Sequence, residues 1–520
     1  MKKIVLLTLS IYSLMQAFTQ EKQLFENPVI RGDIADPSVI VVDETYYATG
    51  TSSEWAPFYP LFKSSDLINW EQAGHIFDEK PSWTSHSFWA PELFYHHGTM
   101  YCYYTARRKS DNTSYIGVAI ADSTSLLFTD HGPIVEHGTE AIDAFVFDDD
   151  GQLYLTWKAY GLDGRPIELL GSRLSDDGLR LEGEPFSLLK DDEGIGLEGQ
   201  YHFHHGDYYY IIYSAKSCCG PNSDYDVRVA RSVKFRGPYE KYEGNPILSG
   251  GGGDYLSCGH GTAVSTPDGR MFYLSHGYQP GEAFYLGRQP ILHEFYVNHD
   301  NWIEFKTGKK AVSRHDTPFA NTIQKVVGDF NDDFSGGILK VDWTWNYPYS
   351  EVSTRHEKGK LLLTGIPKTV NKQATVLCLR PQTSNYSYET RVENSNDSFK
   401  GLTMYGDDNN LVAIGMKGRK IILESVREGT EDILYQSDSD RKNIYFRIDV
   451  ERGCYLSFSY SSDGETWSRV SDTHLDASFL VRWDRVARPG IIHAGEYDAP
   501  AIFDYFQLTN HPGRMRNNRK

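Results

Sequence analysis

The chain has 520 residues and a formal charge of −18, from 52 Lys and Arg against 70 Asp and Glu, which excludes a mini-protein and disfavours a basic nucleic-acid-binding domain. With 40% apolar and 23% charged residues it can bury a full core, and its length accommodates two or more domains. The 35 Tyr and 10 Trp beside 46 Gly and 22 Pro describe a β-rich, turn-rich chain with aromatic surface to spare.

Lys2 and Lys3 precede an apolar run from Ile4 to Leu14, the pattern of a secretory signal too short to span a bilayer, and residues 1–20 are set apart on that ground. No later segment is apolar for long enough to cross a bilayer, so no membrane span is expected, and the protein is read as secreted or periplasmic. Six cysteines are too few to staple so long a chain, and none has zinc-site spacing. The adjacent Cys218 and Cys219 either close a loop-stiffening ring in an oxidising compartment or are two separate thiols.

From 26 to 312 short runs of Val, Ile, Tyr, Phe and Thr alternate with Asp-Gly, Gly-Asp and His-Gly turns. Asp36, Glu92, Asp143, Glu198 and His260 recur at near-equal separations, and each begins a similar unit. An aromatic strand follows each of them after a turn, starting at Tyr46, Tyr101, Tyr154, Tyr208 and Phe272. Five such units predict a five-bladed β-propeller. Residues 313–330 read as a linker, and 331–511 as a β-sandwich of the jelly-roll or concanavalin-like kind, so the fold class is all-β. The sandwich has three open roles: sugar binding, cover for one propeller face, or stabilisation. The basic segment 512–520 reads as a frayed tail.

In a propeller the inner strands line one channel, so repeat-equivalent residues converge on one axis. An acidic ring there costs repulsion and desolvation, which points to function. Glycoside hydrolysis needs one carboxyl as acid and another as base or nucleophile across the sugar. Asp36, stiffened by Pro37, suits a base that holds a water; Glu198, flanked by glycines, suits the acid; Asp143 suits a group that keeps the acid's pKa raised. Each residue alone has a plain alternative: Asp36 as a turn cap, Asp143 on strand-end amides, Glu198 as a metal ligand or partner of Arg, and Glu92 on buried backbone groups.

Ala35-Asp-Pro-Ser38, Trp89-Ala-Pro-Glu92, Ile142-Asp-Ala-Phe145, Glu198-Gly199 and Gly259-His-Gly261, in this order, resemble glycoside hydrolase family 43. Ser217-Cys-Cys-Gly220 resembles the cysteine loop of its arabinan- and arabinoxylan-active members, and Asp332-Asp-Phe334 and Phe503-Asp-Tyr-Phe506 resemble the sandwich that follows the propeller in exo-acting ones. The resemblance implies an inverting hydrolase of α-L-arabinofuranosides, or of β-D-xylosides, with Asp36 as base, Glu198 as acid and Asp143 as pKa modulator. Inversion implies a carboxyl separation of roughly 6.5–9.5 Å. His260 matches a histidine beside a hydrated calcium on the channel axis, the alternative being a hydrogen-bonded channel histidine. Trp89 is expected to stack on sugar, and Arg288 to bind a hydroxyl. Trp55, in the aromatic loop Ser52–Pro60, is expected to wall off the pocket, which favours exo action. Departures from the pattern, Gly-Gln after Glu198 and Ala-Phe after Asp143, bear on subsite shape. The fructosidase signatures Asn-Asp-Pro-Asn-Gly, Arg-Asp-Pro and Glu-Cys are absent. A non-catalytic glycan-binding propeller is the competing reading from another class; either way the expected partner is an oligosaccharide or polysaccharide.

Overall fold

The computed structural model describes residues 23–511 apart from 123–124, 137–139, 161–165, 252, 370–374 and 484; the signal and tail readings lie outside the described residues. Strands dominate, and five antiparallel units follow one another around a channel. Blade I comprises Ala35–Val42, Thr45–Thr51, Phe58–Ser64 and Glu71–Phe77; blade II Trp89–His96, Thr99–Arg107, Ser114–Asp122 and Thr129–Val135. Blade III comprises Glu140–Asp149, Gln152–Tyr160, Glu168–Arg173 and Phe186–Lys190; blade IV Glu198–His205, Tyr208–Ala215, Asp226–Ser232 and two short outer pieces. Blade V is Ser257–Ser265, Met271–Tyr278, Gln289–Val297 and Ile303–Phe305. Part of the segment read as linker is itself structural: Arg314–Asp316 pairs antiparallel with Leu24–Glu26 and ties the two ends of the propeller together.

The blades hold together because each strand's apolar residues fill the gap to the next blade. Tyr59 and Leu61 of blade I meet Phe88 and Tyr104 of blade II. Val118 meets Val146 between II and III, Leu169 meets Ile211 between III and IV, Ile212 meets Ile291 between IV and V, and Phe272 meets Val39 between V and I.

Beyond the propeller two sheets stack as a sandwich. One is ordered Ser350–Glu357, Lys360–Pro367, Ala501–Asn510, Tyr386–Glu393, Asn443–Glu451, Tyr455–Ser461; the other Thr375–Cys378, Arg488–Ala494, Phe399–Asp407, Asn410–Lys417, Lys420–Arg427, Thr430–Asp438. Leu361, Tyr388, Ile448 and Phe503 pack against Leu377, Leu402, Val412 and Ile414 between them.

A second apolar cluster of the six-stranded sheet, with Val376, Phe399, Tyr405 and Ile492, takes in Trp55 of the propeller. Trp55–Ala56 pairs with Trp345–Asn346, and the Arg488 guanidinium lies 4.0 Å over the Trp55 ring. Trp55 is 5% exposed, and it lines a small cavity with Ala35, Thr51 and Arg288. It is also an anchor: an indole that large, set opposite an apolar sheet, is more stable buried there than facing water. Phe58 and Tyr59 are buried as well, the former against Phe88 and Tyr347.

Candidate active site

Every inner strand carries a β-bulge near its start. Register slips between Ala35 and Ser38, Trp89 and Glu92, Ile142 and Phe145, Glu198 and Tyr201, and Gly259 and Gly261. At each slip one residue has positive φ: Asp36 (52°), Ala90 (39°), Asp143 (59°), Gly199 (60°) and His260 (44°). Asp and Gly tolerate this conformation best, and a bulge re-aims side chains towards the channel. The repeat-equivalent set therefore differs from the one expected. Asp36, Asp143 and His260 are equivalent; Glu198 stands immediately before its bulge residue, and Glu92 lies just beyond the bulge at Ala90.

The bulge amides form a ring between blades. Ala90 N–H donates to Thr51 Oγ1 (2.8 Å), Asp143 N–H to Thr105 Oγ1 (3.2 Å), His260 N–H to Ser214 Oγ (2.8 Å) and Asp36 N–H to His276 Nδ1 (3.1 Å). Each acceptor lies on the second strand of the preceding blade. In blade III that position is Lys158, whose ammonium cannot accept, so Gly199 N–H donates instead to Asp143 Oδ2 at 3.1 Å. Lys158 Nζ is thereby released to Glu198 Oε2 at 2.5 Å, while Tyr225 Oη donates to Glu198 Oε1 at 2.8 Å.

The three carboxyls have distinct electrostatics. Burial pushes Asp36 up, but Arg288 (Nη1 to Oδ1 3.5 Å), His260 (Nδ1 to Oδ1 3.5 Å) and His276 outweigh it and hold Asp36 well below the usual carboxylate range. Thr51 also donates to Asp36 Oδ2 at 2.6 Å. Burial raises Asp143 to about 6, with Glu198 adding to the shift and His260 and Lys158 opposing it. For Glu198, burial is outweighed by Lys158, and the carboxyl lies below its ordinary value. The expected ordering, a raised Glu198 kept high by Asp143, is reversed in the free site: the ammonium beside Glu198 stabilises its ionised form, leaving Asp143 as the carboxyl that resists ionisation.

Trp89 stands in blade II where Glu198 stands in blade IV, half-buried, with Arg107 5.6 Å from its ring. Arg288 is buried against Asp36, and its own N–H donates to Asp33 Oδ1 at 3.1 Å. The His260 ring lies between Asp36 and Gly199, whose absent Cβ would come 2.7 Å from His260 Cγ. Gly259 makes room in the same way for Tyr225, which stacks on His276 at 5.7 Å. Glu92 is buried beside Ser38, and that burial raises its carboxyl well above its usual value. His260 Nδ1 lies 3.5 Å from Asp36 Oδ1; a hydrated calcium there would take one ring nitrogen of His260 and complete its shell with waters.

Lys158, Tyr225, Thr51 and His276 escaped the sequence reading. A signal for three of them was present: Thr51, Thr105, Lys158 and Ser214 each follow their bulge residue at one and the same spacing, and His276 follows His260 at a spacing longer by a single position. A lysine among hydroxyls at this second period marks the blade that differs.

Opposite the disulfide-linked Cys218–Cys219, the sandwich residue Trp483 lies against Gly220. The second domain thus reaches the loop that leads into Tyr225.

The family model of glycosyl hydrolases family 43 matches residues 25–303, and that of the beta xylosidase C-terminal concanavalin A-like domain matches 331–509. A xylan 1,3-beta-xylosidase of Vibrio sp. is 27% identical over 86% of this chain and 90% of its own length. A non-reducing end alpha-L-arabinofuranosidase of Bacteroides ovatus is 28% identical over 75% of each. A family 43 protein of Bacillus licheniformis has the same fold, with a TM-score of 0.81 at 22% identity over 94% of this chain and all of that one.

Proposed function

The chain belongs to glycosyl hydrolases family 43, and from that premise we propose that it is an exo-acting, inverting enzyme that releases terminal α-L-arabinofuranosyl residues from plant cell-wall arabinan or arabinoxylan outside the cytoplasm. The observation that carries the reading is the convergence of three carboxyls at the bulges of three blades, Asp143 buried and Asp36 and Glu198 half-buried, with Asp36 held well below the usual carboxylate range and the other two sharing a cationic neighbour.

Asp36, ionised at any neutral pH, takes a proton from water as that water attacks the anomeric carbon. Glu198 delivers a proton to the departing oxygen. That proton belongs to the Asp143–Glu198 pair, which holds one below about pH 6. Asp143 also fixes the acid's backbone through Gly199 N–H. Trp89 and Arg288 border the sugar. The oxidised Cys218–Cys219 pair supports the extracytoplasmic reading.

β-D-Xylosides are the second reading, favoured by the match of 331–509 to a beta xylosidase C-terminal domain and by the Vibrio relative. Rates on the nitrophenyl α-L-arabinofuranoside and β-D-xyloside, side by side, decide between them. Glu198→Gln is expected to lower turnover by about 10²–10⁴ on natural linkages and much less on a dinitrophenyl glycoside, whose leaving group needs no proton; Asp36→Asn is expected to fail on both. Unchanged turnover in Glu198→Gln would revive a glycan-binding propeller. A first-formed product of retained anomeric configuration, seen by NMR, would exclude inversion.

A further inference from the structure

A second cluster of chemistry-bearing side chains sits away from the carboxyls. The inner strand of blade II runs from Trp89 to His96 and turns at His97-Gly98, so the turn lies on the order of 20 Å from the catalytic end. There His96, His97 and Asp176 of blade III each bring one ligand atom to within 4.8 Å of the others. His96 Nε2 lies 3.5 Å from Asp176 Oδ1 with the His96 side chain 12% exposed, and that nitrogen is buried without a hydrogen-bond partner.

The scaffold is preformed. Phe94 stacks on the His96 ring at 5.7 Å and 20°, and the two imidazoles lie 3.8 Å apart by centroid. His97 has φ 49°, the left-handed turn conformation that folds its ring back beside His96. Asp176 is held by the adjoining backbone: Tyr101 Oη donates to the Asp177 carbonyl at 3.2 Å and Tyr103 Oη to the Gly178 carbonyl at 2.9 Å, both from blade II. The blade IV hairpin repeats the sequence as His204-His205-Gly206, yet His204 stacks on Tyr209 at 4.4 Å, and no acid completes a ligand set there among the described residues. The turn sequence alone therefore does not make the cluster; the blade III loop does.

We propose that His96, His97 and Asp176 form a site for a divalent transition metal of the zinc type, which clips blade II to blade III on the face away from catalysis. Two imidazole nitrogens and one carboxylate oxygen are ligands for zinc, nickel or copper rather than for calcium or magnesium, and a water completes a tetrahedral shell. Bond lengths of about 2.0–2.2 Å require the donors to draw in by about an ångström, within reach of the exposed His97 and Asp176 side chains.

The test is zinc binding to the full, untagged protein by calorimetry in a non-chelating buffer, with thermal unfolding read in parallel. One zinc per chain at micromolar concentration is expected, with a midpoint raised by about 3 °C at a hundredfold excess over Kd. His97→Asn and Asp176→Asn, both at exposed positions, should each weaken binding by tenfold or more, while His205→Asn in the blade IV turn should not. No saturable binding at submillimolar zinc, or binding that survives both exposed-site variants, overturns the proposal. Hydrolysis is expected to be the same with and without zinc, which separates this site from the carboxyl machinery.

Discussion

Asp143 shows how a carboxyl proposed to act in catalysis differs from a stabilising one. Its folded pKa, raised to about 6 chiefly by burial, exceeds the value of 3.8 expected of a free Asp, so the folded state binds more protons between these values. Its effect on stability is therefore most favourable below about pH 4 and is lost as pH rises through about 6. Asp143→Asn keeps an oxygen for Gly199 N–H and removes the charge. Chemical denaturation at about pH 8 should find this variant more stable by on the order of 2–3 kcal/mol, with the difference shrinking towards about pH 4; equal stability at both pH values would contradict the assignment. Lys158 acts in the opposite sense on both carboxyls, lowering Asp143 and Glu198. Lys158→Met should move the alkaline limb of kcat/KM upward by about one pH unit or more, and Lys158→Arg should restore most of it. Superimposable profiles would leave Lys158 only a structural part. The carboxyls themselves were legible as residues; their order of ionisation was not, because it depends on a lysine whose ammonium touches Glu198 in space while the two lie far apart in the chain.

The β-bulge is the element that turns a repeat into a site. It places one residue of each inner strand in the left-handed region and, in four blades, presents its amide to a side chain of the preceding blade's second strand. Gly199 is the sharpest case, with φ 60° and the His260 ring where a side chain would start. Gly206, in the hairpin at the other end of the same strand, also has φ 60° but faces open space. Gly206→Ala should cost about 1 kcal/mol and leave turnover intact, whereas Gly199→Ala should cost more and lower kcat by tenfold or more, since it displaces the ring beside Asp36. Equal kinetic effects of the two substitutions would remove the bulge from the mechanism. Strand order, turns and the blade period could be read from pattern because each depends on neighbours in sequence. The bulge was not readable: an extra residue in a strand leaves alternation nearly unchanged, and so Glu92 and Glu198 were put at the wrong repeat positions.

Over the whole molecule, the two domains share apolar surface rather than a tether. Trp55 from blade I enters a cluster of the six-stranded sheet, Arg488 covers its ring and donates to Thr344 Oγ1 at 3.0 Å, and Arg485 pairs with Glu54 at 3.4 Å. Burial lowers Arg488 to about 9, so its place depends on the aromatic face and the threonine. Trp55→Ala is expected to lose about 3–5 kcal/mol and to split one unfolding transition into two, measured by calorimetry; a single unshifted transition would show that the domains do not depend on this contact.

The sequence by itself determined the all-β class, the five blades, the second β domain, the family and the three carboxyls, because these rest on alternation, period and short motifs that act locally. Only the fold in three dimensions shows that Trp55 anchors the second domain, that Lys158 governs Glu198, that Asp143 is the carboxyl with the raised pKa, and that only one of two His-His-Gly turns meets a third ligand among the described residues. All four depend on which side chain a distant blade or sheet sets within a few ångströms, where desolvation and charge act most strongly.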